Sequence, residues 1–236
     1  MNGSDSHPVR FYPPRYDAWY DRPLGRYCFA REVPAVVRAL QPHTDQLYVE
    51  VGAGSGRFAD AVAETGARVV ATDPDPRMAA FARAVRRGTP ELWAAAPGQA
   101  LPFPDDTFHG AFTVTALCFA PAHQAMVREM ARVVRPGGRV VLGELNALAP
   151  WQLWRRLKAI RPGSPYRFAH FHTVRGLTAL LREAGLRDVR HETLLYWMPW
   201  SGPALRVAPL VERIGQRLAP GLGSFVVIHG TVPERP

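Results

Sequence analysis

The chain has 236 residues, 47% of them hydrophobic, which is enough for one sizeable core and does not demand a second domain. A formal charge of +9 would suit a polyanionic partner, but Lys158 is the single lysine among 29 basic residues and the arginines are spread along the whole chain, which argues against nucleic acid. Residues 1–15 are polar, proline-broken and expected to be flexible, no apolar run is long enough to span a membrane, and Cys28 and Cys118 show neither ligand-pair nor disulfide spacing; these point to a soluble, cytoplasmic protein.

Arg15 to Leu40 carries aromatics and Val/Leu at helical spacing, interrupted by Pro23-Leu24-Gly25, which predicts two short helices forming a cap over 16–40. A core over 46–146 follows. Leu47–Val51 reads as a buried strand, Arg57–Glu64 as a helix and Arg68–Thr72 as a second strand closing on Asp73. Pro76–Arg87 is a predicted helix, with strands over Glu91–Ala95 and Ala111–Thr115. Pro121–Val134 is a helix with Met126, Met130 and Val133 inward, stopped by Pro136-Gly137-Gly138 before the strand Arg139–Gly143. Residues 147–172 read as an insertion over the strand ends, with a helix at Trp151–Ile160 and a loop at 161–165. From 173 onward the pattern gives a helix to Ala184, a strand Leu186–Tyr196, a helix Pro203–Leu218 and a strand Ser224–Val232. This alternation argues an α/β, doubly wound, mostly parallel sheet in one domain.

Gly52, Gly54 and Gly56 fall at alternate positions where a strand turns into a helix, the place where backbone must approach a ligand closely. Asp73 ends the next strand and is placed to accept from two ribose hydroxyls, which disfavours a 2′-phosphate. Arg57 stands where a dinucleotide fingerprint needs its third glycine. Glu50, an acid at the end of the first strand, suits an ammonium group and repels a pyrophosphate.

VEVGAGSGRF, ATDPDPRM, ALPFPDDTF and REMARVVRPGGRVVLGE, with YDAWYDRPLGRYCFARE, VTALCF, SPYRFAHF and LLREAGL, resemble the class I S-adenosylmethionine-dependent methyltransferases over most of residues 16–186. Within them the likeness is to the branch that includes the ubiquinone and menaquinone biosynthesis enzymes. The resemblance implies a Rossmann-like, seven-stranded sheet with an antiparallel last strand, and S-adenosylmethionine as donor with S-adenosylhomocysteine as product. It also implies that Gly52, Ala53 and Gly54 line the methionyl side, Asp73 holds the ribose, and Pro74 and Met78 pack around the adenine. Gly98 and Gln99 would read the adenine edge, Thr115 and Leu117 would lie beneath the methionyl group, and Tyr16 and Tyr20 would close a lid. Two positions depart from the pattern: Pro97 replaces an acid at the adenine edge, and His109 replaces an aspartate.

Methyl transfer needs positioning more than a catalytic triad, with a base useful where the acceptor carries a proton. His170 and His172, near Tyr166, are the candidates for that base, with ordinary surface histidines as the alternative. A metal is not expected, because His170-x-His172 offers two ligands and no nearby cysteine or carboxylate pair completes a set. Trp151, Trp154, Trp197 and Trp200, with Phe168 and Phe171, could line an apolar acceptor pocket; Trp151 reads equally as pocket or core and Trp154 as core. These readings converge on methylation of a small, partly apolar molecule. An RNA or protein methyltransferase is favoured by charge alone, a non-catalytic S-adenosylmethionine-binding protein shares the same motifs, and Arg57 and Glu50 disfavour an NAD-dependent oxidoreductase.

Overall fold

Side chains alternate along a strand, and the first strand, β1 (Leu47–Val51), divides the molecule accordingly: Tyr48 enters one apolar layer, Val49 and Val51 the other. In this computed structural model, residues 11–86, 92–160, 164–197 and 200–234 are described. β1 pairs in parallel with β2 (Arg68–Asp73) and β4 (Phe108–Val114); β3 (Leu92–Ala95) flanks β2, and β5 (Val134–Leu145) flanks β4. β7 (Phe225–Thr231) then runs antiparallel between β5 and β6 (Arg187–Leu194). The resulting order, β3-β2-β1-β4-β5-β7-β6, reverses direction between β1 and β4. In open α/β sheets the ligand crevice lies at the carboxyl ends of the strands at such a reversal.

Helices cover both faces. α2 (Pro23–Leu40) and α3 (Arg57–Ala63) bury Val36, Leu40, Phe58 and Val62 on the Tyr48 side, and α4 (Pro76–Val85) packs Ala79 and Ala82 against Trp93 and Ala71. α5 (His123–Val133) and α7 (Val174–Glu183) cover the Val49 side with Met126, Met130, Leu177 and Leu181. α1 (Pro13–Asp17), α6 (Pro150–Ala159) and α8 (Ala208–Leu218) complete the chain. No helix among the described residues is long and apolar enough to cross a membrane.

The seven strands and the antiparallel β7 agree with the sequence reading, and several boundaries differ for local reasons. Pro23 does not split a helix but opens α2, an 18-residue helix, because its fixed φ suits the first helical position. Gly25 lies in that first turn against the Trp19 carbonyl, where a Cβ would sit at 2.1 Å. The Pro136-Gly137-Gly138 segment belongs to β5 rather than to a helix stop: Val134 already pairs with Phe108, and a register shift with left-handed Gly137 absorbs the glycines. β6 ends at Leu194, before the predicted Tyr196, because Leu195 turns left-handed at φ 65°. The helix predicted over 203–218 is a 3-10 turn, Gly202–Val207, followed by α8. Residues 1–10, with most of the expected flexible segment, lie outside the described residues, as do Arg87 and Glu91 at the predicted element ends and 161–163 of the predicted loop.

Candidate active site

Three left-handed glycines carry β1 into α3. Gly52, Gly54 and Gly56 have φ of 74°, 54° and 79°, a region that costs a side-chain-bearing residue roughly 1 kcal/mol or more. Space is as restrictive as conformation, since a Cβ on Gly52 would lie 2.4 Å from the Ala116 Cβ and one on Gly54 3.0 Å from the Tyr16 ring. The amides of Gly52 and Ala53 donate to the Thr72 carbonyl at 2.8 and 2.9 Å, tying the loop to the end of β2. Asp73 follows directly; its Oδ2 accepts from the Gly54 amide at 2.9 Å and its Oδ1 from the Asp75 amide at 2.8 Å. These two backbone amides fix the orientation of the Asp73 carboxylate at the end of β2.

Glu50 lies behind the loop, 1% exposed, with Oε2 lacking any hydrogen bond among the described residues. Burial, reinforced by the Asp60 and Asp73 charges, pushes its carboxyl well above the ordinary range. A cation delivered beside it would reverse that shift. Tyr16 sits on the loop with its hydroxyl 3.4 Å from that of Tyr20, and burial raises its pKa to about 12. Tyr20 itself turns inward and stacks edge-on with Phe29 and Phe58.

Arg57 explains why no third glycine is needed. Its Nε and Nη2 bind the two Asp17 oxygens at 2.8 and 2.9 Å, its Nη2 reaches Asp21 at 2.9 Å, and its guanidinium covers the Tyr20 ring at 5.4 Å. Arg86 at the end of α4 also pairs with Asp17 and donates to the Ser55 carbonyl at 2.6 Å. Burial works against ionisation of Asp17, yet the hydrogen bonds from Arg57 and the charges of Arg86 and Arg57 outweigh it and hold the carboxyl below its usual value. The cap is thereby fastened to the glycine loop by ion pairs.

Of the residues expected near the adenine, Met78 is buried and Pro74 exposed at the start of α4. Gly98 and Gln99 form a turn closed by the Ala100 amide on the Pro97 carbonyl at 3.0 Å, with Gly98 pressed against Met126 and Val51. His109 has a structural task, its Nδ1 accepting from the Leu47 amide at 3.2 Å where β1 begins.

The comparisons with known proteins agree with this geometry. A methyltransferase domain family matches residues 49–142. An uncharacterized methyltransferase of Mycobacterium tuberculosis is 30% identical over 179 residues, covering 72% of this chain and 67% of that protein. The chain belongs to the methyltransferase family. A S-adenosylmethionine-dependent methyltransferase of Thermotoga maritima superposes with a TM-score of 0.71 at 26% identity, over 93% of this chain and 95% of that one. An uncharacterized M. tuberculosis protein is 39% identical over 184 residues, 78% of this chain; the chain spans 61% of that relative's length. S-adenosylmethionine is the family's donor, and the groove fits it: the orphaned Glu50 oxygen, the cradle that a Cβ on Gly54 would fill and the Asp73 carboxylate suit an ammonium, a thioether-sized tail and a ribose.

On the other side of the methyltransferase's strand ends, polar groups are buried without complete partners. Thr115 leaves β4 at φ 51° and starts a 3-10 turn, Leu117–Phe119. The Leu117 amide donates to Glu144 Oε1 at 3.0 Å, while Glu144 Oε2 is buried and unpaired. Burial, opposed by hydrogen bonds from the turn, pushes Glu144 up to about 7. Arg155 on α6 is 6% exposed, lies 4.9 Å over the Trp151 ring, touches Gln152 at 3.4 Å and makes no ion pair among the described residues. Glu32 on α2 is buried as well; burial raises it to about 7 against the pull of Arg155. Tyr166 couples to the same guanidinium, its pKa raised by burial and pulled back by Arg155.

Trp151 is 7% exposed and belongs to the Tyr48-side core. Trp154, expected in the core, is 44% exposed with Lys158 5.4 Å over its ring. α6 turns Gln152 and Arg155 inward and leaves Leu153, Trp154 and Leu157 outward, the reverse of ordinary amphipathic packing. Trp197 is buried and donates its Nε1–H to the Trp200 carbonyl at 3.0 Å, whereas Trp200 and Phe168 are exposed. His170 and His172 come together with His123, the first residue of α5. No hydrogen bond or ring contact joins either to Tyr16, Tyr20 or Glu50 among the described residues. Burial, with the charges of His123 and His170, drives His172 down to about 4. Glu144, Arg155, Asp17 and His123 have no spacing signal of their own; an acid ending β5 and an arginine among the tryptophans of α6 are the nearest hints.

Proposed function

We propose that the chain transfers a methyl group from S-adenosylmethionine to a small, partly apolar acceptor bearing an anionic or hydrogen-bond-accepting group. The observation that carries this reading is the cradle of Glu50, Gly54, Tyr16 and Asp73 beside a separate buried cluster of incompletely partnered polar groups. The donor supplies a carbon already activated by its sulfonium. Glu50 would accept from the donor's ammonium and Asp73 from its ribose, while Gly52, Ala53, Thr115 and Leu117 would flank the methionyl tail. Pro74, Met78, Gly98 and Gln99 would enclose the adenine, with Tyr16 excluding water and Tyr20 holding it in place.

On the acceptor side, Trp151 and Tyr166 would supply apolar walls and Arg155 an anchoring charge. We assign proton removal, where the acceptor requires it, to Glu144 rather than to His170 or His172. A carboxyl titrating near 7 is matched to that task, the His172 imidazole held near 4 is a weak base at neutral pH, and the His170 ring packs against His123 and His172.

Calorimetry tests the donor half: S-adenosylhomocysteine should bind and NAD should not, and Asp73→Ala should weaken binding about 100-fold, roughly 2.7 kcal/mol. NAD binding without S-adenosylhomocysteine binding would overturn the reading. Methyl transfer from labelled donor into a small-molecule extract, followed by mass analysis, tests the acceptor half.

A further inference from the structure

We propose that His123, His170 and His172 form a three-imidazole site for a divalent first-row transition ion of the zinc class, with an open coordination position toward the cavity between α5 and α7. This site stands apart from the donor groove and does not depend on the methyl-transfer reading.

The backbone delivers the three rings from two rigid places. His170 and His172 lie on the segment before α7, which brings both rings against His123. That segment is fixed at both residues: the His170 amide donates to the Cys118 carbonyl at 2.7 Å, and the His172 carbonyl accepts from the Ala147 amide at 2.9 Å beside a parallel bridge to Asn146. Asn146 is fully buried and anchored by its own side chain to the Gly221 and Gly223 carbonyls. His123 is held by the first turn of α5, where the Met126 amide bonds the Ala122 carbonyl at 3.0 Å. The ring centroids are 5.0 Å apart for His123 and His170, and 4.6 Å for each of the other two pairs.

One nitrogen from each ring lies within 4.8 Å of the others. A tetrahedral shell with Zn–N of about 2.0 Å needs nitrogens about 3.3 Å apart, a closure of the order of 1 Å that ring rotation supplies without moving backbone. Two of the nitrogens, His123 Nε2 and His172 Nε2, are buried with no hydrogen-bond partner among the described residues. Buried polar atoms in native folds are satisfied as a rule, and a shared cation accepts both lone pairs at once. Neutral imidazoles with no carboxylate or thiolate in the cluster select ions such as Zn²⁺, Co²⁺ or Ni²⁺ over Mg²⁺ or Ca²⁺. The Cys118 thiol is directed at the Thr115 carbonyl at 3.6 Å instead. An open cavity of about 420 Å³, lined by His123, Gln124, Arg128 and Leu180, gives an ion and a fourth, solvent-derived ligand their way in.

Titrating the chelator-stripped full chain with Zn²⁺ against a chromophoric competitor should give one ion per chain, and Co²⁺ should give the intense visible bands of a tetrahedral nitrogen site. His170 is exposed, so His170→Ala should fold normally, keep its S-adenosylhomocysteine affinity and bind Zn²⁺ at least about 100-fold more weakly. His123→Ala should do the same, and His191→Ala, an exposed histidine on β6, should bind as the unmodified chain does. Absence of stoichiometric binding, or equal affinity in His170→Ala, would overturn the proposal, as would Co²⁺ bands of an octahedral oxygen site.

Discussion

The donor side and the proposed acceptor side of the strand ends are built by opposite rules. Around the glycine loop nearly every polar group is answered within the protein: backbone amides bind Asp73 and Thr72, and Asp17 is clamped by two arginines. Across the cleft, Glu144, Gln152 and two histidines keep buried atoms without partners, and α6 turns Gln152 and Arg155 inward. A site that receives one invariant ligand can be largely completed in advance, leaving Glu50 Oε2 and Ser55 Oγ unpaired among the described residues. A site with several buried polar atoms left unpaired is suited to being finished by what binds there.

This contrast can be broken or sharpened at three residues. The largest effect is expected at Gly52→Val, which combines φ of 74° with a Cβ 2.4 Å from Ala116. It should abolish S-adenosylhomocysteine binding and lower unfolding free energy by about 3 kcal/mol in denaturant titration; intact binding would show that the loop is not the pre-built half. Glu144→Gln comes next. Its amide oxygen still accepts from Leu117, so donor affinity should hold while kcat falls about 100-fold for an acceptor that must lose a proton. In the unmodified enzyme kcat should rise with pH through about 7 as Glu144 ionises, and the variant should lose that limb. Arg57→Leu should have the smallest effect, raising the dissociation constant for S-adenosylhomocysteine about fivefold, about 1 kcal/mol, chiefly through faster release as the Asp17 and Asp21 contacts disappear.

The same contrast governs what the sequence revealed. β1, β2 and the glycine loop are local: apolar run, turn residues and acid occur within one β-α-β stretch, so spacing brings Gly52, Gly54 and Asp73 to one turn, where the Gly54 amide donates to Asp73. Arg57 was informative as an absent glycine, but its partners Asp17 and Asp21 lie far enough back in the chain that no periodicity links them. The proposed acceptor side draws on α2, β5, α6 and the segment before α7, so Glu32, Tyr166 and Arg155 come together only in the folded state, with Glu144 beside Cys118. Trp154 misled for a related reason. Tryptophans three apart on a helix suggest a shared inner face, yet the inner face of α6 is occupied by Gln152 and Arg155. His123 was invisible because the histidine pair it joins follows it by an entire strand and helix.

Among the described residues β6 pairs with β7 alone, and β7 is the later of the two to leave the ribosome. During synthesis β6 must therefore wait for β7, and in the finished sheet its other edge is unpaired among the described residues. Its sequence is suited to that wait: Arg187, Asp188, Arg190 and Glu192 leave four of its eight positions charged, which discourages pairing with a foreign strand. Closure of this end is a long-range step that depends on one late segment slotting between two strands already made, and it sets a natural place for folding to be slow.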